Sequence, residues 1–281
     1  MSVDVISLGC RLNLSESESM RGILAAADDL IVINSCAVTA EALSQTRQAI
    51  RRARRDRPDA RLLVTGCAAE IDRAAIAAMP EVDGLIANAA KLDPRAWNIA
   101  PPNLTTYPSL LPREGGGLLR HSTTHTRAFI AVQNGCDHAC TFCVIPQGRG
   151  PSRSKSQAAI IAEITQQMAL GTCEMVLTGV DLTAWGADLS GAPKLGSLVS
   201  AILTACPTLP RLRLSSVDAA EIDPELAELF AHEPRLMPHI HLSLQHGDDL
   251  ILKRMKRRHM RDNAVKLVAK LRDKRPDLAV G

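Results

Sequence analysis

Three thiols crowd into one short loop, Gly135-Cys136-Asp137-His138-Ala139-Cys140-Thr141-Phe142-Cys143, spaced C-x3-C-x2-C. A loop this short can wrap one face of an iron–sulfur cubane and give one thiolate to each of three irons. Such clusters are ordinarily held by four cysteines, so the fourth iron is left without a local protein ligand. An open position on a metal signals chemistry, whereas a closed one signals structure. A structural zinc site with His138 as fourth ligand is the other reading. C-x-H-x-C-x2-C is compressed for that purpose, because zinc ligands come as a C-x2-4-C pair followed by a distant second pair.

The elements that must carry a second set of thiols lie before this loop. Residues 3–8 read as a buried strand ending in Gly9-Cys10, Leu30 to Asn34 as one ending in Ser35-Cys36, and Arg61 to Thr65 as one ending in Gly66-Cys67. Helices are expected over Asn13 to Ala27, with Glu16 and Glu18 in a first turn that suits carboxylates, and over Glu41 to Arg55 behind a Thr39 cap. A third helix is expected over Ala69–Ala78, and a fourth strand over 82–87. Alternating strands and helices, with strands apolar on both faces, predict an open parallel α/β sheet. Cys10, Cys36 and Cys67 then fall at its carboxyl edge, where open parallel sheets bind ligands. Two readings stay open: a shared metal site, or three small buried hydrophobes.

Residues 96–126, with Pro101-Pro102, Pro108, Pro112 and Gly115-Gly116-Gly117, read as a linker, so domains are expected over 1–95 and 127–281. From Arg127 the β/α rhythm resumes. Strands end at the thiol loop, at Gly179, at Ser215 and at Gln245; helices are expected over 156–170, 195–206, 224–231 and 262–273. Polar or metal-binding residues just past strand ends mark the active face of a β/α barrel. Four units and the opening of a fifth strand at Leu278 make this barrel partial, and the chain is expected to be truncated at its C-terminus.

Composition sets bounds. The 281 residues are 46% hydrophobic and 22% charged, with no long apolar run and no secretory leader. A cytoplasmic protein with no membrane partner is expected, its eight cysteines reduced. A net charge of +3 permits a nucleic-acid partner without requiring one. Six aromatic residues are too few for a base-stacking platform, so phosphate contacts and a pocket for one base would have to carry RNA binding. The arginine-rich helix over 47–61 is either a solvated face or a nucleic-acid backbone contact. Lys253 to Arg258 follow an active-face strand and suit a role near phosphate or cofactor. Cys173 and Cys206 are expected to serve packing. His239 and His241 point one way from their strand.

With its neighbours, the thiol loop resembles that of the radical S-adenosylmethionine (SAM) enzymes. Together with Gly9-Cys10-Arg11-Leu12-Asn13, Asn34-Ser35-Cys36 and Thr65-Gly66-Cys67, it resembles the methylthiotransferase family. Arg149-Gly150-Pro151-Ser152-Arg153-Ser154 and His241-Leu242-Ser243-Leu244-Gln245 extend the match across the chain. The first motif and Pro238 to Gln245 resemble the branch acting on tRNA threonylcarbamoyladenosine. The resemblance implies two 4Fe-4S clusters: one held by Cys136, Cys140 and Cys143, whose open iron chelates SAM, and an auxiliary one held by Cys10, Cys36 and Cys67. It further implies a 5′-deoxyadenosyl radical and a methylthio group inserted at C2 of N6-threonylcarbamoyladenosine at position 37, in the anticodon loop. Gly179, Ser215 and Gln245 are the candidate SAM contacts, and ordinary turn or cap duty is their alternative. Other branches act on isopentenyladenosine tRNA or a ribosomal protein. An inactive truncated paralogue and a zinc-stabilised RNA-binding module are the remaining alternatives. The truncation expected at the C-terminus would remove the family's TRAM domain, and Glu70 replaces a common Gln. The sulfur and electron donors are unspecified.

Overall fold

The computed structural model describes residues 3–97 and 126–281. They form two compact units: the first joins the N-terminal residues with Val144–Gly150, and the second holds the remainder. The expected linker lies almost wholly outside the described residues.

In the first unit, β1 (Val3–Ser7), β2 (Leu30–Ser35), β3 (Arg61–Gly66) and β4 (Gly84–Leu85) form a parallel sheet in sequential order. Side chains alternate across a strand, and β2 is buried at every position, so each face needs its own cover. Ile31, Ile33, Leu62 and Val64 pack on one face with Ile50 of α2 (Ala40–Asp56). Leu30, Val32 and Leu63 pack on the other with Met20 of α1 (Arg11–Ile23) and with Trp97.

Three details depart from expectation. Helix α1 begins at Arg11, so Glu16 and Glu18 sit beyond the first turn and are buried rather than facing solvent at the helix start. The helix expected over 69–78 is two short ones, α3 (Cys67–Ile71) and α4 (Arg73–Ala77). Asp72 breaks it: its φ of −119° and ψ of 38° leave the helical region, and its carboxylate pairs with Arg47. Short α5 (Ile145–Arg149), unforeseen from the sequence, belongs to this unit.

The second unit contains β5 (Arg127–Ala131), the two-residue ribbon β6 (Gln133–Asn134) and β7 (Arg153–Ser154), α6 (Gln157–Ala169), β8 (Glu174–Thr178), α7 (Leu195–Ala205) and β9 (Arg211–Leu214). After these come β10 (Ser216–Val217), α8 (Pro224–His232), β11 (His239–Leu242), α9 (Asp249–Arg254), α10 (Arg261–Lys274) and β12 (Ala279–Val280). Strands β5-β8-β9 and β10-β11-β12 form two parallel three-stranded sheets, with a bridge from Leu212 to Leu236. Among the described residues the strands do not close a barrel. Ser156 and Asp223 cap α6 and α8 by accepting from Ala159 N and Leu226 N, which satisfies helix-end amides that have no partner within the helix. The strand expected to reach Leu244 stops at Leu242. Cys206 lies in the core, as expected, whereas Cys173 is exposed and packs in none. Among the described residues no helix is long and apolar enough to cross a membrane.

Candidate metal centres

In the first unit, two of the three thiol-bearing turns are shaped by a glycine with no room to spare. Gly9 has a φ of 88°, and a Cβ there would lie 2.6 Å from Cys36 Sγ. Gly66, with φ 92° and ψ −168°, would push a Cβ into the backbone of Ser35. Glycine alone adopts such angles freely. Between these turns, Asn13 Nδ2 donates to Leu8 O (2.7 Å) and Ser35 O (3.0 Å), tying the turn before Cys10 to the turn before Cys36. Ser35 Oγ donates to Thr65 O and accepts from Ala68 N (3.1 Å), tying the second turn to the third. Cys36 and Cys67 are buried and Cys10 is exposed. Burial raises the Cys67 pKa, Arg149 and Lys91 oppose the rise, and Cys36 and Cys10 add to it. The structure thus sets Cys10, Cys36 and Cys67 just past the carboxyl ends of the neighbouring strands β1, β2 and β3, in turns tied to one another by these hydrogen bonds.

Beside them lies a charged group whose pairing the sequence did not reveal. Glu16, 2% exposed, accepts from Lys91 Nζ (2.6 Å) and from Arg149 Nη1 (2.9 Å) and Nη2 (3.1 Å). Lys91 also donates to Asn34 Oδ1 (3.1 Å), and Arg149 to Asn13 Oδ1. Burial would raise the Glu16 pKa, but the two cations outweigh it and hold the carboxyl below its ordinary value. A buried charge persists only when paired and hydrogen-bonded. In hindsight, Asn34 at the end of an otherwise apolar strand was the visible signal that the strand meets a polar interior.

In the second unit, Gln133 sets the thiol loop. Its Nε2 donates to Gly135 O (2.7 Å) and Ser152 Oγ (2.9 Å), while its Oε1 accepts from Asp181 N (2.9 Å). Asp137 Oδ1 accepts from Ser152 N (3.0 Å). At the far side, Arg257 Nη1 approaches Cys140 Sγ (3.6 Å), and its Nη2 donates to Asp218 Oδ2 (2.7 Å) and Ser243 O (2.7 Å). Buried His259 bridges Asp218 Oδ1 and Leu244 O, each at 3.1 Å. Burial pushes the Cys136 pKa up to about 11; a backbone hydrogen bond at His138 opposes the rise, and Asp181, Cys143 and Cys140 reinforce it. Thiolates are the metal-binding form, so metal binding here would release thiol protons.

The candidate SAM contacts divide. Among the described residues Ser215 Oγ is buried with no hydrogen-bond partner, a polar atom that a ligand can satisfy. At Gly179 a Cβ would lie 3.0 Å from Gln133 Oε1, so close packing already accounts for glycine there. Gln245 is exposed, with a φ of 69°. His138, proposed above as a zinc ligand, does meet Cys136 and Asp181: their ligand atoms lie within 4.8 Å of one another. Its Nε2 is already engaged by Asp181 (2.7 Å) and by Arg258 Nη2 (2.6 Å). Of the arginine run, Arg47, Arg54 and Arg57 are held by Asp72, Asp83 and Asp29, which makes much of that face structural.

Comparison with known proteins agrees with this division. Residues 130–281 match the Radical SAM superfamily, and residues 2–87 match Uncharacterized protein family UPF0004. The chain is 44% identical, over 99% of its length and 67% of the relative's, to threonylcarbamoyladenosine tRNA methylthiotransferase MtaB of Rickettsia prowazekii. It is 32% identical, over 99% of its length and 65% of the relative's, to ribosomal protein uS12 methylthiotransferase RimO of Desulforudis audaxviator. It thus spans about two thirds of the length of these relatives. The fold matches that of the radical SAM methyltransferase TsrM from Kitasatospora setae, solved with cobalamin and a [4Fe-4S] cluster bound. The TM-score is 0.65 at 14% identity, covering 97% of this chain and 64% of that one.

Proposed function

Because this chain belongs to the radical SAM methylthiotransferase family, we propose that it inserts a methylthio group at C2 of threonylcarbamoyladenosine in the anticodon loop of tRNA, in the cytoplasm. The observation that carries this reading is the presence of two separately braced three-thiol sites, one in each unit. The 44% identity to the Rickettsia prowazekii MtaB, against 32% to the Desulforudis audaxviator RimO, favours tRNA over a ribosomal protein as substrate.

Cys136, Cys140 and Cys143 would hold a 4Fe-4S cluster that binds SAM, and Cys10, Cys36 and Cys67 would hold a second 4Fe-4S cluster. The donor sets suit iron–sulfur clusters, and the partnerless Ser215 Oγ suits a polar group of SAM. When bound, these groups supply radical hydrogen abstraction at one site and sulfur at the other. The protein's part is to hold them. Gln133 and Asp137 fix the start of the second-unit loop, and Arg257, itself held by Asp218, steadies Cys140. Gly9, Gly66, Asn13 and Ser35 keep three distant turns in register around the other site.

Anaerobic reconstitution of the full chain should yield about eight iron and eight sulfide per chain if each site holds one 4Fe-4S cluster. Mass spectrometry of tRNA nucleosides from a deletion strain, with and without this chain supplied back, tests the substrate. An unchanged methylthio level on threonylcarbamoyladenosine after deletion overturns that assignment. The convergence of Cys136, His138 and Asp181 favours zinc as the second reading; zinc bound without sulfide would establish it over the first.

A further inference from the structure

The group around Glu16 contains two cations and one carboxylate, all but removed from water: side-chain exposures are 1% for Lys91, 2% for Arg149 and 3% for Glu16. The contacts between them suit the charged forms, with Glu16 supporting the Lys91 ammonium against a burial that lowers its pKa. The lysine ammonium donates to two oxygens, and the guanidinium lies with both terminal nitrogens on the carboxylate. Two cations and one carboxylate thus lie together in a medium where charge is costly.

The surroundings point to what the group serves. Helix α5, which ends at Arg149, packs directly on a ligand residue: a Cβ on Gly148 would lie 3.2 Å from Cys67 Cβ. Lys91 reaches the same body from the other side, since its Nζ donates to Asn34 Oδ1 (3.1 Å), two residues before Cys36. The carbonyls that hold Asn13 belong to Leu8 and Ser35, each within two residues of a thiol-bearing position. The charged group and the thiol turns are therefore one hydrogen-bonded body.

We propose that Lys91 and Arg149, arrayed on Glu16, are the built-in counter-charge of the first unit's thiol site, placed beside the anionic cluster held by Cys10, Cys36 and Cys67. This rests on the reading that those three thiols hold a cluster. The three residues are positioning and tuning residues, since none of them donates to the metal. Their distinctive consequence is a sign. Removing a cation disfavours the more negative, reduced cluster, and removing the carboxylate favours it. A brace that only holds the turns in place has no such sign.

The test uses the full chain carrying Cys136→Ala, Cys140→Ala and Cys143→Ala, so that only first-unit iron is read. Iron, sulfide and the electron paramagnetic resonance signal are measured first, then the midpoint potential in Lys91→Met, Glu16→Gln, Arg149→Gln and Arg149→Lys. Lys91→Met and Arg149→Gln should lower the reduced-to-oxidised ratio at fixed potential about tenfold, a shift of about 59 mV for a one-electron couple. Glu16→Gln should raise it by a similar factor, and Arg149→Lys should stay near the parent. Shifts of the same sign for cation and carboxylate variants, or changes below twofold, overturn the proposal. If one variant loses its fold, the Arg149→Gln and Arg149→Lys pair still decides it. A parent chain that takes up no iron and sulfide fails at the earlier step, which removes the cluster reading and this inference with it.

Discussion

Replacing Gly66 with alanine should damage the first-unit site while sparing the second. Gly66 sits at φ 92° and ψ −168°, a region that costs other residues about 1–3 kcal/mol. The new Cβ would also meet Ser35 N at 2.6 Å and come closer still to Ser35 O. Those atoms belong to the central strand and cannot step aside, so overpacking adds about 1–3 kcal/mol. The sum, about 4 kcal/mol, is a large share of the roughly 5–15 kcal/mol that stabilises a domain. Gly171→Ala is the control, because its φ is 87° but nothing lies within 4 Å of its Cβ position. It carries the backbone strain without the collision and should cost about 1–2 kcal/mol. Amide hydrogen exchange over residues 30–36 and 61–67 of the full chain reads the loss locally. Iron analysis should show about half the parent's metal if the other cluster stays. Equal effects of Gly66→Ala and Gly171→Ala on that exchange, with metal retained, would refute the argument that the Cys67 turn is pinned against Ser35.

Further outcomes follow from the same contacts. Cys10→Ala should leave reductive SAM cleavage intact and abolish methylthio insertion, whereas Cys136→Ala should abolish both; deoxyadenosine and modified nucleoside are quantified side by side. Ser35→Ala removes the hydroxyl shared by Thr65 O, Ala68 N and Ala69 N. It should destabilise the first unit by about 1–3 kcal/mol, the range for orphaned buried groups, measured by exchange over the same segments. Arg257→Met strands Asp218 without its cation and frees Cys140. A loss of about 3–5 kcal/mol is expected for breaking a buried pair, with second-unit iron lost first. Glu174 gives a pH signature. Burial opposes its ionisation, but Arg213, Arg127 and Arg211 prevail and hold its pKa below the ordinary value. Its stabilisation is therefore complete above the usual glutamate range and lost as pH falls through the lowered value. Glu174→Gln should flatten that acid limb in thermal melts.

What the sequence disclosed and what it hid have a common physical basis. Strands β2 and β3 are buried on both faces, which forces unbroken apolar runs, so their ends and the Gly66-Cys67 turn could be read directly. The buried polar face of α1 could not. Asn13, Ser15, Glu16, Ser17 and Glu18 have the look of a solvated surface, and Lys91 and Arg149, the partners of Glu16, lie far along the chain. Periodicity reports which face differs from the rest, not whether water or a distant cation lies against it. The same blindness applies to the arginine run, whose members Arg47, Arg54 and Arg57 meet aspartates on three separate segments. Helix α5 was missed because five residues containing Pro146 and Gly148 carry no helical signal. Its place is set by what it packs on, Cys67 and Ile71.

The two thiol sites are built by opposite means, and this bears on how each can be lost. The second-unit loop gathers its thiols by covalent proximity, so its ligands stay neighbours even in an unfolded chain, and Gln133, Asp137 and Arg257 refine a geometry already near at hand. The first-unit site exists only once β1, β2 and β3 are side by side in register. Metal affinity there is therefore paid from the stability of the sheet, and metal binding in turn adds to that stability. Substitutions anywhere in the first unit's core should lower first-unit iron in proportion to the stability they remove. Iron in the second-unit loop should respond mainly to changes in its immediate braces.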